Sequence, residues 1–199
     1  MNVSQYVNAF LKKNDTKFIF EMSGGMITHI LDSIYQKNEI KIISMRHEQS
    51  AAFAADTVGR LTGRPGIAMA TSGPGATNLI TGIGSSYFDS SPTVFITGQV
   101  NRNEQKKNRK IRQLGFQETD IVSIVKPITK KAFRANNAKN VPDLLKKAYE
   151  VSTSGRPGPV LLDLPMDVQR TQIKVPKVKK VSIQAKKFYN NNILKNFLA

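Results

Sequence analysis

The sequence predicts an α/β fold, an open, doubly wound and mainly parallel sheet with helices on both faces. Three observations predict it. Short apolar, β-rich runs alternate with segments whose apolar residues fall three and four apart. Most of those runs lack polar alternation, as strands covered on both faces do. Two near-identical turns, Gly63-Arg-Pro-Gly66 and Gly155-Arg-Pro-Gly158, each close a helix before a strand. In chain order, Val7, Phe10 and Leu11 predict a helix over 4–13, and the run at 17–20 predicts the first strand. Ile27, Ile30, Leu31 and Ile34 predict a helix over 25–36, followed by a strand at 40–45. Ala51, Ala52 and Ala55 lie on a helix over 48–62, and 66–71 reads as a strand. Leu79, Ile80 and Ile83 extend a helix over 75–89, and 93–97 is the fourth strand. Residues 121–126 fit either period. Val141, Leu145 and Ala148 give a helix over 141–154, and 160–164 is the fifth strand.

Composition narrows the chemistry. The chain has 199 residues, 40% hydrophobic and 22% charged, which excludes low-complexity and collagen-like classes. No run reaches the roughly 18 apolar residues of a membrane span, and the N-terminus lacks the order of a signal peptide, so the expectation is a cytoplasmic protein without a membrane partner. With no Cys and two His, thiol nucleophiles and Cys-containing zinc sites are excluded, and no metal site is assigned. The net charge of +16 is concentrated: six basic residues against one acid between Arg102 and Arg112, and seven Lys without an acid from Lys174 onward. The basic loop holds no aromatic for base stacking and no nucleic-acid motif, so a solvated loop is expected and no specific nucleic-acid partner. After Pro165 the pattern changes. Residues 1–170 read as one domain, and 171–199 as a basic linker entering a further element, with a last apolar stretch at 193–198.

Several residues can carry chemistry, each with a structural alternative. Thr71-Ser-Gly-Pro-Gly-Ala-Thr-Asn78 follows a strand and opens a helix, so its backbone N–H groups can face a ligand; it is equally a tight turn needing Gly. Glu48 stands at a strand-to-helix junction, where open parallel sheets place ligand chemistry. It is also the acid expected at any helix start. Gln117-Glu118 after the basic loop reads in isolation as a helix-starting polar pair.

Taken in order, Ser23-Gly-Gly25, Arg46-His-Glu-Gln49, Thr71-Ser-Gly-Pro-Gly-Ala-Thr-Asn78, Ile96-Thr-Gly-Gln99, Gly115-Phe-Gln-Glu118 and Gly155-Arg-Pro-Gly-Pro159 resemble the N-terminal pyrimidine-binding domain of thiamine-diphosphate enzymes, in the acetolactate synthase-like branch. The resemblance covers about residues 1–170. It implies a 2-oxo acid carboligase or decarboxylase in which the cofactor carries the hard step. Glu48 matches the glutamate that hydrogen-bonds N1′ of the aminopyrimidine, favouring the tautomer that removes the thiazolium C2 proton. Gln117 would lie near the reacting carbon, and Met22, Gly24, Thr71, Pro74, Gly75 and Asn78 would line the pyrimidine site, with His47 supporting the turn. The resemblance also implies a homodimer or tetramer whose sites form between subunits, with the small-residue helix after Glu48 against the partner.

This sequence departs from the branch at three points. Met22-Ser23 stands where a Tyr-Pro is usual, Met166 stands where a Lys is usual, and the loop between Val100 and Gly115 is longer. The Gly-Asp-Gly that would hold the diphosphate with Mg²⁺ is absent from these residues, as is a middle domain that in some members holds FAD. The expectation is a domain without catalysis by itself; the alternative is a noncatalytic α/β domain that binds an anion or polyanion.

Overall fold

The computed structural model describes residues 1–174 and 177–183. Strands β1 (Phe18–Met22), β2 (Lys41–Ser44), β3 (Gly66–Ala70), β4 (Thr93–Gln99), β5 (Lys131–Arg134) and β6 (Pro159–Pro165) form one sheet in the order β2-β1-β3-β4-β6-β5. Every pairing is parallel. The helices are α1 (Val3–Lys13), α2 (Thr28–Lys37), α3 (Glu48–Thr62), α4 (Pro74–Asn78), α5 (Ile80–Phe88), α6 (Ile121–Val125), α7 (Val141–Thr153) and α8 (Met166–Arg170).

Local chemistry sets the helix ends. Asn2 and Gln5 form a reciprocal capping box at the start of α1. Asn38 closes α2 at φ 48°, and Gly63 closes α3 at φ 65°, a region in which glycine carries no Cβ penalty.

The two-residue period of the strands sends alternate side chains to two cores. Ile67, Met69, Val94, Ile96, Val160 and Leu162 pack with Phe10, Ile30 and Leu145 from α1, α2 and α7. Ala68, Ala70, Phe95 and Leu161 face the other way, onto Ala51, Ala52 and Ala55 of α3, Ile83 of α5 and Val125 of α6. Small residues let that second layer sit close. A Cβ on Gly66 would lie 1.8 Å from the Ala55 carbonyl oxygen, and one on Gly82 would lie 2.3 Å from the Ala52 Cβ. The alanines of α3 are thus used inside this chain, and its outward face presents Phe53 and Leu61 instead.

The predicted strands all form, extended by a residue or two at β1, β4 and β6 and trimmed at β2 and β3. A sixth strand, β5, forms where none was predicted; it is an edge strand paired only to β6, and its two apolar residues are half-buried. The helix expected over 75–89 divides into α4 and α5, and that expected over 25–36 begins as a 3-10 turn, Gly25–Ile27. The ambiguous segment is α6, running into the 3-10 turn Lys126–Ile128.

Part of the stretch read as a linker lies against the domain. Asn2 and Gln172 form an antiparallel bridge, Ile173 and Val181 are buried in the α1-side core, and Val181 N donates to Asn14 Oδ1 (2.7 Å). Alternation explains it: the valine and isoleucine side chains turn inward while the intervening lysines remain exposed. The apolar stretch at 193–198 lies outside the described residues.

Candidate functional site

The strand order reverses direction between β1 and β3, since the chain leaves β1 for one edge and returns to build the other. Open parallel sheets bind ligands at the carboxyl ends flanking such a reversal. There Met22 ends β1 paired with Ala70, Thr71 follows β3, and α3 and α4 begin.

Glu48 is the first residue of α3, held at the helix start by His47, whose Nδ1 accepts from Gln49 N (3.1 Å). Glu48 is 7% exposed. Asn78 Nδ2 donates to its Oε2 (2.9 Å), joining the start of α3 to the end of α4. Gly75 keeps the space beside it open, for a Cβ there would stand 3.1 Å from Glu48 Oε1 and 2.7 Å from Thr71 Cγ2. Thr71 Oγ1 accepts from Met26 N (3.3 Å), and a Cβ on Gly24 would fall 2.5 Å from Thr71 Cβ. Pro74 occupies the first turn of α4, where its missing N–H costs no hydrogen bond. Gly73 has φ 66°, and a Cβ on it would meet Gln117 Cβ at 2.6 Å. The structure therefore gathers Gly24, Glu48, Thr71, Pro74, Gly75, Asn78 and Gln117 around one turn, with Met22 one strand position away.

Sequence reasoning missed three contributors. Met26 supplies the amide that fixes Thr71, and its carbonyl accepts from Gln169 Nε2 (2.7 Å), a buried side chain of α8. Ser72 Oγ, in the same turn, is buried without a partner among the described residues. Glu21 is buried at the end of β1, accepting from Ser44 Oγ and, at 2.9 Å, from Ser23 Oγ. Only the burial of a charge within an apolar strand could have flagged it.

Around the other half of the sheet the site is charged. Asp163 of β6 is fully buried and accepts from Thr97 Oγ1 (2.8 Å), Arg134 Nε (3.1 Å) and Gln99 Nε2 (3.3 Å). Burial outweighs these contacts and pushes its carboxyl up to about 6. Arg134 also donates to Asp120 (2.7 Å), and Asp120 is held below the usual carboxylate range by Ser123 and Arg134 against the opposing effect of burial. Glu118 fastens the basic loop: Oε1 accepts from Lys106 N (2.8 Å) and Oε2 from Leu114 N (2.9 Å).

A cavity of about 440 Å³ at the opposite ends of the strands is lined by Thr16, Phe18, Val58, Pro65 and Tyr149, beside Asp15. Asp15 is paired with Arg64 and Lys180 and is lowered to about 2 by those two partners. It lies away from the strand ends where parallel sheets place their chemistry.

A buried carboxyl paired with an amide thus lies at the reversal of a parallel sheet, beside a glycine-opened turn, in an α/β domain. Residues 1–124 match the family described as thiamine pyrophosphate enzyme, N-terminal TPP binding domain, and the chain belongs to that family. Relatives include the probable acetolactate synthase large subunit of Methanocaldococcus jannaschii, 42% identical over 84% of this chain and 27% of that protein. The acetolactate synthase of Arthrospira platensis is 44% identical over 82% and 28%. Acetolactate synthase isozyme 3 large subunit of Escherichia coli K12 is 40% identical over 86% and 29%. The chain thus spans a little over a quarter of the length of these relatives. Among the described residues no helix is long and apolar enough to cross a membrane.

Proposed function

We propose that, in the complete protein, this domain holds the pyrimidine half of thiamine diphosphate for a cytoplasmic carboligase or lyase acting on a 2-oxo acid. The observation that carries the reading is the state of Glu48. Asn78 fixes Oε2, while Oε1 accepts no hydrogen bond among the described residues and borders the space that Gly75 leaves free. A carboxyl so placed suits a ring nitrogen, and the buried, unpartnered Ser72 hydroxyl in the same turn is a second sign of fit.

Thiamine diphosphate, when bound, supplies an acidic carbon that adds to a carbonyl and accommodates the electrons released by decarboxylation. The residues here do the rest. Glu48 holds a proton at the ring nitrogen, with its direction set by Asn78. Thr71, Pro74 and Gly75 shape the cradle, Gly24 and Met22 close it from β1, and Gln117 orients the reacting group of the substrate. Mg²⁺, and FAD where used, are assigned to other parts of the complete protein. A second copy of the chain is the proposed partner in a homodimer or tetramer. The exposed Phe53 and Leu61 of α3 and Tyr87 and Phe88 of α5 support that assignment.

The test is Glu48→Gln in the complete protein, read by exchange of the cofactor's C2 proton with deuterium. Exchange is expected to fall by about 10²- to 10⁴-fold, the usual contribution of a positioned acid or base. The melting temperature should stay unchanged. Undiminished exchange would remove Glu48 from the role.

A further inference from the structure

We infer that the cavity under the basic loop binds a phosphate or diphosphate group of a substrate, at a point beside the cofactor turn. The cavity measures about 250 Å³ and lies where Gln99 ends β4 and Arg134 ends β5, with Lys106 and Arg112 entering from the loop. That is smaller than the roughly 300–1,000 Å³ that encloses a drug-sized ligand, so it suits one end of a molecule.

Charge decides which end. Glu118 and Asp120 also line the cavity, yet both are engaged: Glu118 by the amides of Lys106 and Leu114, Asp120 by Arg134 and Ser123. Arg134 is itself held by Asp120 and Asp163. Lys106 and Arg112 form no ion pair among the described residues, nor do Lys107, Arg109 and Lys110 beside them, whereas Arg60, Arg64 and Arg102 all do. A concave site with uncompensated cations focuses a positive field. Glu118 holds the loop by the backbone amides of Lys106 and Leu114, so the side chains of Lys106 and Arg112 are not needed to hold it in place. A phosphoryl group offers several acceptor oxygens to an Arg fork and a Lys ammonium together.

The location makes the ligand a substrate. Glu118 adjoins Gln117, which packs on Gly73 one residue before Pro74. An anion anchored at Lys106 and Arg112 places the attached portion of the molecule toward the Glu48 turn. Only this last step rests on the proposed cofactor reading; the anion site stands on the loop alone.

The test is calorimetric titration of the 199-residue chain with inorganic diphosphate at about 150 mM salt, where long-range surface attraction is screened. Pyruvate is titrated in parallel. Diphosphate is expected to saturate one site more tightly than pyruvate. Lys106→Ala/Arg112→Ala should weaken it about tenfold or more, as loss of two charge-assisted contacts does. Lys177→Ala/Lys179→Ala, which removes equal charge elsewhere, should change it less than about twofold, as should Glu48→Gln; circular dichroism verifies that each variant folds. Equal weakening by the two double variants, pyruvate binding as tightly as diphosphate, or no saturable binding would each overturn the inference. Diphosphate binding as expected, together with undiminished C2 exchange in Glu48→Gln, would keep the anion site and reject the cofactor reading.

Discussion

The Glu48 turn and the basic cavity share the carboxyl edge of one sheet but are built by opposite means. Around Glu48 the determinant is closeness: glycines at 24, 73 and 75 stand where a single Cβ would collide with Thr71, Gln117 or the carboxyl itself. Under the loop the determinant is charge. Lining carboxylates are engaged by amides and Arg134, while Lys106 and Arg112 form no ion pair among the described residues. A site built by closeness is fixed by backbone geometry and fails when any atom is added. A charged site tolerates added atoms and fails when charge is removed.

The comparison is broken most severely at Gly66→Ala. The new Cβ would fall 1.8 Å from the Ala55 carbonyl, so α3 must leave β3 and carry Glu48 with it. A loss of about 3 kcal/mol or more is expected in urea denaturation, the upper range for overpacking. A loss below about 1 kcal/mol would show that α3 can shift freely.

Asp163 sharpens the charged half. Its carboxyl titrates at about 6 when folded against an ordinary value of 3.8, so the folded chain holds an additional proton between those values. Stability from this group therefore falls as pH rises from about 4 to about 6 and is level above, a change of about 3 kcal/mol. Asp163→Asn should remove that slope. Melting curves at about pH 4.5, inside this window, and about pH 7, above it, should differ less in the variant than in the parent; an unchanged difference would refute the assignment.

Gly75→Ala should perturb the closeness-built site locally, by about 1–2 kcal/mol of stability, as Glu48 and Thr71 give way to the added methyl. In the complete protein, C2 exchange should fall with it, while diphosphate binding by the chain stays unchanged. The smallest expected effect belongs to Glu118→Ala. Losing two charge-assisted contacts at a partly exposed site should cost about 1 kcal/mol, with faster trypsin cleavage within residues 106–112. Cleavage at the parent rate would mean that something other than Glu118 holds the loop.

How far each region could be read in advance follows from the same contrast. β3, β4 and β6 are apolar runs buried along their whole length, and such runs announce themselves. β5 carries Ala132 and Phe133 between charged neighbours at the sheet edge, a pattern shared with many loops. Glu48 and the Gly-Pro-Gly turn stood out as residue types at strand-to-helix junctions. The Glu48–Asn78 bond did not, because it spans 30 positions along the chain. The alanines after Glu48 suggested close packing, and they do pack closely, but against β3 and α5 of the same chain. Unpaired charge in the basic loop was visible as composition, whereas the engagement of its neighbouring acids was not.

By itself the sequence determined the parallel α/β class, the central strands, the glycine-bearing helix-to-strand turns and the identity of the turn residues, because all of these are local: period, propensity and the steric freedom of glycine act within a few residues. Tertiary structure alone decided which oxygen of Glu48 is held and which is free, where Gln117 comes to rest, that Asp163 is buried beside Arg134, and that Lys106 and Arg112 form no ion pair among the described residues. Each depends on groups brought together from distant parts of the chain, and their energies come from burial and pairing that exist only once the sheet is assembled.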